Sequence, residues 1–439
     1  MLLLCGCSRS GEKRASADAG SAIDGAPKLA AAELDAAPPP PKGPRPDLNV
    51  VLLTIDSMRA DMPWAGYARP IAPHLTELEK KSVSYTRGYA MSSYTSMSLG
   101  GVLAAKLPGE LKRDGFFFNT FHKDNLFFPE LLQKAGIKTL AVHAHGYFKD
   151  GGFHQGFDTW EIVPNLKWDN TTDLNITAPL QESLAEKLLA DPRLERERFF
   201  AWFHFMDPHD QYMSHEPEVP SWGKTRRDLY DGEITFSDKY IGKLLEFVQK
   251  QPYGERTAFV VTSDHGEGLG EHNHFAHGFE LWEMLVRVPF IIFVPGAKPQ
   301  RIDVARSAID LAPTICELFG VKPDAGFEGR SLVPELFGEP AEPRDVVLDL
   351  PMTSDNDRRR ALLRGSLKLV AYGNDAYFHL YDVDKDPDET SIIARGPEYE
   401  DMKRRYYAFE KTVEDVQPYG CLPGVCLNGA YKMSRDGGK

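Results

Sequence analysis

Three stretches of this chain carry side chains that could do chemistry together. Asp56 ends the run NVVLLTID. A hydroxyl-rich turn, AMSSYTSMSLGGVLAAKLP, leads into a helical pattern. A third run, VVTSDHGEGLGEHNHFAHG, reaches Asp264-His265 with His272, His274 and His277 close behind. Carboxylates and imidazoles at the ends of separate parallel strands converge in space, and such a set makes a divalent-metal site. A hydroxyl at the mouth of a helix gains twice, because a cation lowers its pKa and the helix dipole favours the anion it attacks. Taken singly, each stretch reads as a cap, a turn or a surface loop, so the weight lies in the combination. His272 and His274, in a Gly-rich loop, are expected to face solvent rather than ligate.

The elements that must position these groups are marked by hydropathy. Residues 49–55 are a continuous β-branched and leucine run, the pattern of a central strand buried on both faces. Strand-like runs follow at 139–143, 199–205, 257–262 and 289–294. Helical patterns fall at 72–81, 127–135, 228–250 and 310–319, the last with Asp310 near its N-cap and Gly320 as its stop. This alternation predicts an α/β fold, a layered and mostly parallel sheet with helices on both faces and its site at the carboxyl ends of the strands. Beyond residue 339 the pattern changes to short strands at 345–350, 361–363, 367–372 and 378–381, then a polar helix over 397–413. That reads as a smaller antiparallel α+β subdomain. The aromatic run GFFFNTFHKDNLFF would suit a lipid or aromatic pocket, but burial in the core is its expected role.

The combination resembles the sulfatase family of the alkaline-phosphatase-like superfamily, over residues 49–413. NVVLLTIDSMRAD looks like its first metal strand, and TSMSLGGVLAAKLP matches the spacing of its nucleophile signature, with Pro108 as the closing proline. HFMDPHDQY is similar to its PHxPY segment and VTSDHGEGLGEH to its second metal motif. RVPFIIFVPG and IDLAPTICELFGV, followed by GRSLVPELFGE, look like the strand and helix that close its core. RGSLKLV and LYDVDKDPDET resemble its C-terminal subdomain. The resemblance implies an alkaline-phosphatase-like catalytic domain over 48–338 and a C-terminal subdomain over 339–415. It also implies a metal-dependent hydrolase or transferase of phosphate or sulfate esters. Carried over by position, Asp56, Asp264 and His265 would bind one divalent metal, with Thr95 as nucleophile and further ligand. His209 would contact the substrate oxygens and His277 would stand near the leaving group. His143 and His145 would take the place of a Lys-x-His pair lining the pocket.

The chain departs from the family pattern in two places. Formylglycine-forming sulfatases carry C/S-x-P/A-x-R, whereas Thr95-Ser96-Met97-Ser98-Leu99 has no Cys, no Pro or Ala at the third place and no Arg at the fifth. An unmodified threonine would stall as a stable sulfate ester, whereas in-line phosphoryl displacement through a threonine oxygen is feasible with a metal holding both oxygens. Related phosphoglycerol and phosphoethanolamine transferases use such a threonine, so a phosphoester is the expected substrate. The first strand also offers one acid, Asp56-Ser57, where many sulfatases have two. That shifts the expected ion from Ca²⁺ toward Mn²⁺ or Zn²⁺. Two other readings stand beside this one. They are a formylglycine sulfatase modified at Ser93, Ser96 or Ser98, and an inactive surface lipoprotein that keeps the fold as a binding module.

Composition sets the outer bounds. The 439 residues are 42% apolar and 26% charged, which excludes whole-chain disorder. The net charge of −13 argues against a nucleic-acid partner, which needs a basic face. The partners expected are a small-molecule, glycan or lipid ester and a membrane surface. The membrane surface is read from MLLLCGC: residues 1–7 resemble the tail of a bacterial lipoprotein signal, with Cys7 lipidated and the rest of the leader upstream. Residues 8–47, rich in Ala, Pro and charge, read as a disordered tether. Together they place the protein in a bacterial cell envelope. Of the five cysteines, Cys316 is expected as a buried thiol, and Cys421 and Cys426 as a small disulfide loop in the 416–439 tail.

Overall fold

The structure, a computed structural model, describes residues 43–115, 120–166, 176–353 and 357–416. The lipoprotein-like segment 1–7, nearly all of the tether 8–47 and the Cys421–Cys426 loop lie outside the described residues. The core is an eight-stranded sheet in the order Gln300–Ile302, Val83–Tyr85, Phe290–Phe293, Thr257–Ser263, Asn49–Ile55, Phe199–Phe205, Lys138–His143, Thr159–Ile162. Phe290–Phe293 runs against its neighbours on both sides, and all the other pairings are parallel. The sheet is therefore mostly parallel, with one reversed strand.

Side chains of the central strand alternate between two apolar clusters. Val50 and Leu52 join one, with the helices Thr95–Ala104, Phe128–Lys134 and Leu311–Leu318. Val51, Leu53 and Ile55 join the other, with Pro73–Glu79, Ala178–Leu189 and Arg226–Lys250. A strand covered on both faces has no position for a solvated side chain, which is why its sequence is an unbroken apolar run. Phe121, Phe127 and Phe128 of the aromatic run are core residues, as expected.

Several elements went unread in the sequence. The short strands Val83–Tyr85, Thr159–Ile162 and Gln300–Ile302 add the sheet's margins, and Ala178–Leu189 adds a helix. Asp310 stands at the N-cap position of Leu311–Leu318 but does not cap it. Its carboxylate instead accepts from Arg330 N–H (2.8 Å) and pairs with Arg344, because burial beside an arginine rewards a charge pair over a local cap.

The C-terminal part is an antiparallel sheet, Val346–Leu350, Arg359–Arg364, Leu367–Tyr372 and Tyr377–Asp382 in sequence order. One face, through Leu348, Ala361 and Leu363, joins the first core cluster. The other, through Leu362, Leu369 and Leu380, is covered by Met402 and Tyr406 of the helix Pro397–Glu410.

Candidate active site

Parallel pairing places three strand ends side by side. Ile55 pairs with Phe205 on one side and Ser263 on the other, so Asp56 and Asp264 emerge next to each other at the carboxyl edge. The chain turns sharply there, with Ser57 at φ +58°, a left-handed conformation rare for a non-glycine residue and of the kind that clusters at functional sites. That turn lets Ser57 Oγ donate to Asp56 Oδ1 (2.7 Å) and Ser57 N–H donate to Asp264 Oδ1 (3.3 Å).

Thr95 opens the helix Thr95–Ala104 and is the one part-exposed residue in the buried stretch 91–100. Its hydroxyl lies 3.2 Å from Asp56 Oδ2 and 3.2 Å from His265 Nε2. His265 Nε2 is also 3.4 Å from Asp264 Oδ2 and 3.9 Å from Asp56 Oδ1. The ring's Nδ1 donates to Gly266 O (2.8 Å), which leaves the Nε2 lone pair facing the cluster.

The charges are strongly biased. Burial opposes ionisation of Asp56, yet the imidazoles of His209, His204 and His265 hold its carboxyl well below the usual carboxylate range. Burial, reinforced by the charge on Asp56, pushes Asp264 well above that range. Burial and the charge of His277 press His265 down to about 3, so it is neutral, the form that ligates a metal. Asp264 Oδ2 is buried and accepts no hydrogen bond, and donor atoms of Asp56, Asp264 and His265 lie within 4.8 Å of one another. A buried carboxylate oxygen without a partner among other donors is what a divalent cation would satisfy, so these residues fit the ion that the sequence implied.

Two further histidines adjoin this cluster. The His277 ring is 4.2 Å from that of His265 and 5.1 Å from that of His209. His277 Nδ1 lies 3.4 Å from both carboxylate oxygens of Glu267. Burial works against the imidazolium, but Glu267 outweighs it and raises the pKa of His277 above its ordinary value. His209 directs Nδ1 to Asp210 O at 2.7 Å.

The remaining sequence-selected residues sit differently. His143, set against the expected pocket lining, is fully buried, with ring centroids of Phe148, Trp160 and Trp202 each 4.3 Å away and neither nitrogen bonded. It reaches no solvent, because the strand that carries it points it into the aromatic layer. His145 Nδ1 accepts from Tyr147 N–H (3.0 Å). His272, exposed as expected, stacks on Trp282 at 4.2 Å, and its Nε2 meets Asp388 O at 2.7 Å. His274 is only part-exposed, contrary to expectation, because it packs edge-on against Trp282.

Sequence reading missed His204 and Glu267. His204 Nε2 is 3.3 Å from Asp56 Oδ2 and 4.0 Å from Asp264 Oδ2, inside an otherwise apolar strand. A lone imidazole in FFAWFHF was the available signal. Glu267 had none beyond its place in the second metal-like motif.

Comparison with known proteins agrees with this fold. A family model described as Sulfatase matches residues 48–321, and one described as N-sulphoglucosamine sulphohydrolase, C-terminal, matches 270–416. Delta 4,5-hexuronate-2-O-sulfatase of Bacteroides thetaiotaomicron is 30% identical over 169 residues, 37% of this chain and 35% of that protein. An ulvan-active sulfatase of Formosa agariphila is 25% identical over 331 residues, 65% of this chain and 64% of that protein. The chain thus spans about one third of the first relative and just under two thirds of the second. Among solved structures, a 2-O GAG sulfatase superposes with a TM-score of 0.69 at 20% identity, over 83% of this chain and 91% of that one. The phosphonate monoester hydrolase of Silicibacter pomeroyi superposes at 0.67 and 20% identity, over 83% and 94%. These neighbours share the alkaline-phosphatase-like fold. A match that runs through more than half the chain, from the strand before Asp56 past the helix after the Asp264 turn, makes this protein a member of the sulfatase family.

Proposed function

We propose that the protein is a divalent-cation-dependent hydrolase or transferase of tetrahedral anionic esters. Unmodified Thr95 is the nucleophile, and Asp56, Thr95, Asp264 and His265 hold one cation. Phosphorus esters are turned over in preference to sulfate esters. The observation that carries this is the Thr95 hydroxyl, part-exposed at a helix start and 3.2 Å from both a carboxylate oxygen and a neutral imidazole nitrogen. When bound, the cation would supply charge to lower the pKa of that hydroxyl and offset the ester oxygens. The mixed oxygen and nitrogen donor set favours Mn²⁺ or Zn²⁺ over Ca²⁺.

Thr95 Oγ1 loses its proton to solvent and attacks in line, forming the threonyl ester as the bond to the leaving oxygen breaks. His277, whose protonated form Glu267 favours, gives its proton to that oxygen. A water then loses a proton to the neutral His277 and displaces the Thr95 oxygen, which takes a proton back from solvent as the acid product leaves, while His209 contacts the ester oxygens. Two of the relatives named above are a delta 4,5-hexuronate-2-O-sulfatase and an ulvan-active sulfatase, and a ring-bearing leaving group is proposed here too. In support, exposed Phe275 lies two residues before His277, with the Arg226 guanidinium 5.5 Å from its ring. The formylglycine reading is weaker, since Ser93, Ser96 and Ser98 are buried. An envelope location with a lipid on Cys7 belongs to the same proposal, and the mass of the N-terminal peptide checks it.

A metal-replete screen of aryl sulfate, phosphate monoester, phosphonate monoester and phosphodiester tests the reading. Turnover of a phosphorus ester is expected, with Thr95→Ala lowering kcat by about 10³-fold or more. Full activity in the alanine variant would remove Thr95 from the mechanism.

A further inference from the structure

Asp56 is one of the two buried aspartates of the candidate cation site, and one of its contacts leads away from the reaction centre into the sheet. Thr54 and His204 are direct cross-strand partners, and Trp202 lies two residues before His204 on the same face. All three are fully buried. Trp202 Nε1 is 2.9 Å from Thr54 Oγ1, Thr54 Oγ1 is 2.8 Å from His204 Nδ1, and His204 Nε2 is 3.3 Å from Asp56 Oδ2.

The direction of each bond follows from donor accounting. An indole nitrogen can only donate, so Trp202 occupies a lone pair of Thr54. Among the described residues, the Thr54 hydroxyl has one other partner, His204 Nδ1, and must give its hydrogen there. His204 Nδ1 is then an acceptor, and the ring's hydrogen is on Nε2, facing Asp56. The opposite tautomer would leave the Thr54 hydrogen without an acceptor and set an imidazole lone pair against a carboxylate oxygen, both costly in a dry interior. A ring that carries hydrogen on Nε2 cannot ligate through that atom.

We propose that Trp202, Thr54 and His204 form a one-way hydrogen-bond relay, and that His204 is the positioning residue that aims Asp56 at the cation. His204 is then a donor behind the ligand rather than an extra ligand. It holds Oδ2 while Ser57 Oγ holds Oδ1, so both oxygens of Asp56 are oriented before an ion arrives. Partners of this kind set metal affinity by limiting the reorganisation of the ligand. The inference rests on the proposed cation site.

The test is Mn²⁺ binding to the full chain, followed by the EPR signal of free Mn²⁺, with pulsed EPR to count directly bound imidazole nitrogens. Wild type is expected to bind Mn²⁺ with a single such nitrogen, from His265. His204→Phe keeps a ring but no donor and should weaken binding about 10–100-fold. His204→Gln retains an N–H and should stay close to wild type. Thr54→Val should weaken binding in the wild-type background and add nothing in the His204→Phe background, because both act along one path. Thr54→Val is nearly isosteric and decides the matter if His204→Phe does not fold by circular dichroism. Unchanged affinity in Thr54→Val would overturn the relay. A second bound nitrogen that disappears in His204→Phe would overturn the positioning role and make His204 a ligand. No Mn²⁺ or Zn²⁺ binding by wild type would instead overturn the cation reading itself, a distinct outcome.

Discussion

At the scale of single residues, the site depends on opposite charges being held at neighbouring positions. Asp56 is kept ionised by the surrounding imidazoles, and Glu267 raises the pKa of His277. The Glu267–His277 pair has a defined pH sign. The pKa of His277 is raised in the folded chain, so the stability it contributes is fully present below the free imidazole value of about 6.5. That contribution is lost as pH rises through the higher folded value. Glu267→Gln removes the charge responsible and should move the His277 titration to lower pH. NMR titration of the imidazole in the metal-free protein would show this, and equal midpoints in the two proteins would show that Glu267 does not set the value. Thr95 was legible in the sequence because its spacing to Pro108 survives. His204 and Glu267 were not, because their roles depend on which oxygens they face across strands and turns.

At the scale of elements, the two strand ends that carry Asp56 and Asp264 are fastened to each other by a small side chain. Ser263 Oγ accepts from Met58 N–H (2.9 Å) and faces the carbonyls of Ile55 and His265. It therefore ties the turn after Asn49–Ile55 to the turn after Thr257–Ser263. Ser263→Ala would leave a buried N–H without an acceptor and cost about 1–3 kcal/mol in denaturant unfolding. It should also weaken metal binding, since the turns that carry Asp56 and Asp264 lose their common anchor. Unchanged metal affinity in a destabilised variant would show that each turn holds its own geometry. The long, continuous strands and most of the long helices were readable from hydropathy, whereas the short edge strands and the helix Ala178–Leu189 were not. Three residues of Val83–Tyr85 carry too little periodic signal, and only the neighbouring strand makes them a strand.

At the scale of the whole molecule, the C-terminal sheet braces the segment around Thr95. Asp349 N–H donates to Met91 O (2.9 Å), and Asp349 Oδ2 accepts from Gly109 N–H (2.7 Å), so this one residue grips both flanks of Thr95–Ala104. Fully buried Arg360 balances that carboxylate at 2.9 Å and also pairs with Glu410 (2.6 Å) and Asp415 (2.7 Å). Arg360→Met would strand a buried negative charge and is expected to cost about 3–5 kcal/mol, measured by chemical denaturation. The double variant Arg360→Met with Asp349→Asn should recover part of that loss, since it removes the unpaired charge. A cost under about 1 kcal/mol for Arg360→Met alone would mean that the carboxylates relax into solvent.

By itself the sequence determined the fold class and the carboxyl-edge position of the candidate site, and its resemblance to a known family implied the set Asp56, Thr95, Asp264 and His265. The first two follow from strand burial and turn position, which are local properties of the chain. Only the tertiary structure decided that His143 lies sealed in an aromatic layer while His204, one strand over, reaches Asp56. The reason is geometric: a side chain's face on a strand follows from the pleat, but what meets it there depends on which strand lies alongside and in what register.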